Sequence, residues 1–269
     1  MLICWRFRND IIQNESYMKY QDDGLGGLEK VMKIGIICAS ENELAPFFDV
    51  FQEHSVVEKA MLKIHIGKIG AHDVVMLYCG VCKVNAAIAA QIVIDEFKVD
   101  AIINAGVAGG MDTGLNIFDT VISTEVAYHD VDAGILTEYH PWMKSVFFAA
   151  DEKLLKIARD VAERIQTKGK VFFGRMVTGE AFISDDGRQE IVDAFDPLSV
   201  DMETGSIAHV CYANSVPFLA IRSITDTADH SGSGFFEMNC KEASRIAKDF
   251  TVEVIRSVQL KESANESDC

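Results

Sequence analysis

Apolar positions along this chain alternate between two rhythms. Short, nearly continuous apolar runs at 32–38, 74–79, 101–105, 119–124, 171–177 and 217–224 have the length of buried strands. A more mixed run at 61–66 joins them, beside a turn region at Gly67 and Gly70. Between the runs, apolar residues recur at three- and four-residue spacing. The segment 151–166 carries Leu154, Leu155, Ala158, Val161, Ala162 and Ile165 behind an acidic first turn, which predicts an amphipathic helix. The same spacing predicts helices over 84–97, 203–213 and 241–258. Strands that are apolar on both faces, alternating with helices, predict an α/β fold. The expected arrangement is a single-domain, three-layer α/β/α structure around a mixed, largely parallel twisted sheet.

The pattern begins abruptly. Residues 1–31 mix Asn, Asp, Gln and Lys around Gly24-Leu25-Gly26-Gly27 and show no sustained periodicity, whereas Met32-Lys33-Ile34-Gly35-Ile36-Ile37-Cys38 is a clean strand. The expected organisation is a dispensable N-terminal extension at 1–31, one domain at 32–260 and a polar tail at 261–269. No internal repeat or linker divides the domain. No apolar run reaches the length of a membrane span and the first residues lack an apolar signal core, so the expected compartment is the cytoplasm.

Charge removes several function classes. Lys plus Arg is 25 against 41 Asp plus Glu, a formal net charge of −16. That balance argues against nucleic acid or an anionic membrane as partner, since phosphate contacts need a basic face. It leaves a small neutral ligand open. Seven Cys, several inside apolar runs, read as buried reduced thiols. Cys79-Gly80-Val81-Cys82 has redox or zinc spacing, but no second pair accompanies it, so no metal is expected.

Four segments could carry chemistry. Asn104-Ala105-Gly106-Val107-Ala108-Gly109-Gly110 fits neither dinucleotide nor P-loop spacing, and a tight structural turn is its expected role. Ser40-Glu41-Asn42-Glu43 follows the first strand. It reads either as a capping box or as a strand-end carboxylate serving as a general base. Phe182, beyond Gly179, is a core aromatic or a platform for a flat base. Asp201, Glu203, Arg222 and Asp226 form the strongest set. The run 217–224 predicts a buried strand ending near an Arg and an Asp, and buried charges there need partners. Glycosidic cleavage needs such a set: a carboxylate near the sugar, and an acid for the departing base.

Taken in order, the pieces resemble the 5′-methylthioadenosine/S-adenosylhomocysteine nucleosidases of the nucleoside phosphorylase superfamily. They are Lys33-Ile34-Gly35-Ile36-Ile37, Glu41-Asn42-Glu43, Lys83-Val84-Asn85-Ala86-Ala87, the 104–110 stretch, Tyr128-His129-Asp130, Gly179-Glu180-Ala181-Phe182-Ile183, Asp201-Met202-Glu203, and Arg222 through Asp229. The resemblance covers 32–258 and implies a nucleoside phosphorylase-like fold and hydrolysis of 5′-substituted adenosines. It implies that Glu43 activates the attacking water and that Glu203 binds the ribose hydroxyls, with Met202 beside the sugar. It implies that Arg222 holds the water and Glu203, and that Asp226, next to Thr225, protonates the purine. Phe182 would stack on the base, Ile183 would read its amino edge, and Val107 and Gly109 would line the substrate pocket. No metal or organic cofactor is implied. A homodimer is, with the partner chain closing the alkylthio pocket.

The chain departs from the family pattern at Val107, where Ser or Thr is usual, at Cys82, where Gly is usual, and in a shortened 133–146 segment containing His140-Pro141-Trp142. Methylthioadenosine, adenosylhomocysteine, 5′-deoxyadenosine and an aminodeoxyfutalosine-like nucleoside all stay open as substrates. Two rivals stay open as well. A purine nucleoside phosphorylase would need cations around phosphate, and 38–50 offers none. A non-catalytic nucleoside-binding or storage relative would not need a matched acid and base.

Overall fold

The computed structural model describes residues 31–139, 143–184 and 187–258. Residues 1–30 of the expected 1–31 extension, the whole His140-Pro141-Trp142 motif, and the tail at 261–269 lie outside the described residues. The order is β1 (Lys33–Cys38), α1 (Glu41–Leu44) with a 3-10 turn at Ala45–Asp49, β2 (Gln52–Lys59), β3 (Leu62–Ile69), β4 (His72–Tyr78), α2 (Lys83–Phe97), β5 (Ala101–Gly110) and β6 (Thr120–Tyr128). Then follow α3 (Ala133–Glu138), β7 (Phe147–Ala149), α4 (Glu152–Ala162), β8 (Val171–Thr178), α5 (Arg188–Phe195), β9 (Ser199–Asp201), α6 (Thr204–Asn214), β10 (Phe218–Asp226) and α7 (Ser233–Ser257).

The three-layer α/β/α arrangement stands. Strands β4, β1, β5 and β10 run parallel side by side. Successive residues of β1 face opposite ways: Ile37 joins a core with α2 and α6, while Ile34, Ile36 and Cys38 join another with α4 and α7. A strand apolar on both faces can therefore be covered by helices on both sides. Antiparallel strands complete the sheet. β2 and β3 form an outer hairpin against β4. At the other side β5 pairs with both β10 and β9, β10 with β6, β6 with β8, and β8 with β9. These pairings close a ring of five strands, which removes free edges there and brings β5, β9 and β10 around one space.

Two expectations change. The 104–110 stretch is not a turn: it is strand, buried except at Gly109 and paired on both sides. Glycine there serves close approach rather than chain reversal. The 217–224 strand continues to Asp226, so Arg222 sits in mid-strand opposite Gly106 and not at a strand end. Between Ile224 and Asp226 the β5–β10 register slips by one residue, a bulge that re-aims the Asp226 side chain. Smaller differences concern β3, which runs through Gly67 to a turn at Gly70, and α7, which starts eight residues earlier than its apolar periodicity begins at 241. β2 was not visible in the sequence because all eight of its residues are exposed and polar residues occupy both faces.

Candidate active site

Glu43 forms the capping box with Ser40 and, following β1, also faces a cavity. β1 delivers Ala39 and Ser40 to the start of α1, and their N–H groups donate to Glu43 Oε2 at 2.7 and 2.8 Å. The other oxygen, Oε1, accepts the Val107 N–H at 2.8 Å and Arg222 Nη1 at 3.3 Å. The carboxylate is 2 % exposed and lines that cavity, beside β5, β9 and β10. Local capping fixes its rotamer, and the sheet supplies the neighbours that orient it.

Arg222 is the hub. It is fully buried, with Asp201 Oδ2 at 2.9 Å, Glu43 Oε1 at 3.3 Å and Glu203 Oε2 at 3.5 Å. Its Nε and Nη2 also donate to Thr204 Oγ1 at 3.1 and 3.0 Å, and that hydroxyl donates to Asn104 Oδ1 at 2.7 Å. Asp201 Oδ1 accepts from Thr178 Oγ1 at 2.6 Å and from the N–H groups of Glu203 and Thr204 at 3.2 and 3.1 Å, so it also satisfies backbone donors at the start of α6. Glu203 Oε1 accepts the Cys82 N–H at 3.0 Å. Cys82 has φ +82, a backbone conformation that glycine adopts freely and that a side chain makes less favourable. One guanidinium therefore faces three carboxylates. Burial pushes Glu203 up to about 7, with Arg222 opposing and Asp201 and Glu43 adding to the rise. The floor carries excess negative charge, the field that stabilises a sugar cation.

Asp226 stands apart from this cluster. It is 1 % exposed, its Oδ1 accepts Thr225 Oγ1 at 2.8 Å, and its Oδ2 is buried without a hydrogen-bond partner. Burial raises its pKa, with Thr225 and Arg188 opposing. A carboxyl holding its proton to higher pH, with one oxygen free, is suited to give that proton to a ligand nitrogen.

The cavity between these groups is about 260 Å³, close to the lower end, about 300 Å³, of small-molecule sites. Glu43, Val107, Gly109, Phe182, Met202, Glu203, Thr225 and Asp226 all line it. Ile183 lines a smaller adjoining recess together with Phe182, Met202 and Asp226. Arg222 lies beneath the floor and does not line the cavity. Phe236 is a lining residue that sequence reasoning missed. It meets Phe182 edge to face at 6.2 Å. Its signal was hidden because Gly232-Ser233-Gly234 reads as loop, whereas α7 already begins at Ser233. Among the described residues, no group of His, Cys, Asp and Glu side chains is arranged to hold a metal.

Gly106 is where the close approach occurs. An added Cβ would lie 2.2 Å from Glu43 Oε1 and 2.6 Å from Arg222 Nη1. Both are held from several sides, so neither yields cheaply. Gly106→Ala is expected to lower kcat/KM by about 100-fold, the scale of a 1 Å misplacement in a catalytic group. Circular dichroism should show the fold retained, and an alanine variant with wild-type kcat/KM would refute the tight fit.

The strand-end carboxylates, mid-sheet guanidinium and ring of strands define a class. The chain belongs to the phosphorylase superfamily, whose family model matches residues 33–256. Within it the similar proteins include 5′-methylthioadenosine/S-adenosylhomocysteine nucleosidases. One, from an Exiguobacterium species, is 40 % identical over 218 residues, covering 79 % of this chain and 93 % of its own. The solved nucleosidase of Colwellia psychrerythraea, in complex with adenine, is 30 % identical with a TM-score of 0.79, covering 86 % of this chain and 97 % of its own. The futalosine hydrolase of Helicobacter pylori is also similar, at 25 % identity and a TM-score of 0.78, covering 85 % of this chain and 99 % of its own.

Proposed function

We propose that the chain hydrolyses the N-glycosidic bond of 5′-substituted adenosines, releasing adenine and the 5′-substituted ribose. Methylthioadenosine and adenosylhomocysteine are the leading substrates, with 5′-deoxyadenosine and an aminodeoxyfutalosine-like nucleoside as further members of the panel. The observation that carries this reading is that one cavity is lined both by Glu43 and Glu203, which rest on the buried Arg222, and by Asp226, whose Oδ2 is buried without a hydrogen-bond partner.

In this reading the C1′–N9 bond breaks first and its electron pair moves into the purine. Asp226 gives its proton to N7, so the base leaves neutral. Glu203 holds the ribose hydroxyls while the floor balances the positive sugar. Glu43 takes a proton from water as the oxygen bonds to C1′, so atoms and charge balance. Phe182 stacks on the base, Ile183 reads its amino edge, and Met202, Thr225, Val107 and Gly109 shape the remaining walls. Among the described residues no Lys, Arg or His lines the cavity, and Arg222 is already matched by carboxylates. A phosphate dianion would meet net negative charge there, which favours water as nucleophile.

The proposal extends to a cytoplasmic homodimer acting in nucleoside catabolism and methionine salvage. Val81 lines the cavity yet is 49 % exposed, and Val84 and Ile88 continue an exposed apolar stripe along α2 that a second copy would cover. Residues 1–31 are proposed to be dispensable, since β1 and the family match both begin at 33. A chain starting at Met32 is expected to keep solubility and turnover, and loss of either would overturn that boundary.

The test of function is adenine release from methylthioadenosine with and without phosphate, with the sugar product separated by chromatography. Phosphate-independent release of free methylthioribose is expected. A sugar 1-phosphate formed only with phosphate would make the chain a phosphorylase, and binding without release across the panel would make it a nucleoside-binding relative.

A further inference from the structure

Arg188 is the first residue of α5 and lies outside the cavity lining, yet it is only 8 % exposed. Its Nε donates to the Ser184 carbonyl at 3.1 Å. Its Nη1 donates to the Gly110 carbonyl at 2.5 Å and lies 3.4 Å from Met111 Sδ. Nη2 is buried with no hydrogen-bond partner, and among the described residues the guanidinium's contacts are carbonyls and a thioether rather than a carboxylate. Burying a guanidinium on such terms is costly, and an apolar side chain would fill the space at less cost.

The two carbonyls explain what the residue joins. Ser184 ends the segment that carries Phe182 and Ile183. Gly110 ends β5, one residue beyond Gly109, which pairs with Asp226 across the β5–β10 bulge. Phe182 is 46 % exposed, so burial alone does not hold this segment. Resting on the nucleosidase reading, we propose that Arg188 is a positioning residue: it fastens the base-stacking segment to the end of β5 and keeps it in register with Asp226.

Its charge has a second consequence. Glu43 from α1, Asp201 from β9 and Glu203 at the start of α6 face the same cavity, and Asp229, His230 and Glu237 near the end of β10 and on α7 are exposed. Among these charged groups Arg188 is the one that lowers the Asp226 pKa, against the larger effect of burial that raises it. Removing the charge lets the pKa of Asp226 rise further. The alkaline limb of kcat/KM, where the acid loses its proton, then moves to higher pH.

The experiment compares Arg188→Met and Arg188→Lys with the wild type in kcat and KM for methylthioadenosine across pH, with adenine affinity by calorimetry alongside. Arg188→Met is expected to raise KM and the adenine dissociation constant about tenfold and to shift the alkaline limb upward. Arg188→Lys keeps the charge but not the two-carbonyl fork, so its limb should stay at the wild-type pH while KM still rises. A purely structural role would lower Tm and move neither KM nor the limb, and that result overturns the proposal. Should Arg188→Met not fold, an unchanged KM in Arg188→Lys overturns it equally. Should the wild type release no adenine, the nucleosidase reading fails separately, and unchanged adenine affinity in the variants then overturns the positioning role.

Discussion

Asp226→Asn is expected to lower adenine release by about 10²–10⁴-fold, the range for losing a general acid, while leaving the fold intact. The amide can still accept Thr225 Oγ1 as Oδ1 does, so the local hydrogen bond survives. What it cannot do is give up a proton to the departing purine. The pH dependence follows in sign. Burial raises the pKa of Asp226, so the wild type keeps its acid form to higher pH than an exposed Asp would, and its activity falls as pH rises through that raised value. The variant has no such limb. Because a carboxyl whose folded pKa is raised costs stability at pH above that pKa, Asn should leave the protein as stable as the wild type or more so at neutral pH. Single-turnover rates across pH, with melting curves alongside, check all three outcomes. Turnover near the wild-type rate in Asp226→Asn would sink the acid assignment.

Arg222→Met is expected to destabilise the protein by about 3–5 kcal/mol, the cost of breaking a buried ion pair by removing one partner. The guanidinium is fully buried and is the counter-charge to Asp201, Glu43 and Glu203. Without it the carboxylates must repel one another or take up protons. Glu203 makes the pH direction definite. Burial already lifts it from 4.5 to about 7 with Arg222 opposing the rise. In the wild type, then, the folded state holds a proton that the unfolded chain releases, and stability from this group falls as pH rises across that window. Removing Arg222 lifts the folded pKa further, so the loss in the variant should be larger at pH 8 than at pH 5. Denaturant unfolding at both pH values measures it. An equal loss at both would show that the carboxylates do not depend on Arg222 for their charge.

Much of the architecture was legible because its signals are local. The apolar runs at 32–38 and 171–177 became β1 and β8 with small boundary changes, and the stripe over 151–166 became α4. Where legibility failed, the deciding contact came from elsewhere in the chain. β2 is exposed throughout and forms because β3 offers it a hairpin partner. β9 is three residues long and exists through its pairing with β5 and β8. The glycines of 104–110 look like a turn in one dimension, and only their neighbours reveal a strand crowded by Glu43 and Arg222.

The candidate site divides the same way. Residue type and order singled out Glu43, Glu203, Arg222 and Asp226, because buried strands do not carry charge without a reason. The sequence by itself thus determined which elements form, which groups are chemically capable, and the family resemblance. The tertiary structure decided that Arg222 lies under the floor rather than in the cavity, that Asp226 is turned inward by a bulge, and that Phe236 and Arg188 stand near the base segment. The reason is physical: periodicity reports which face of an element is buried, whereas distances of about 3 Å between residues far apart in sequence depend on how strands pair and where their register slips.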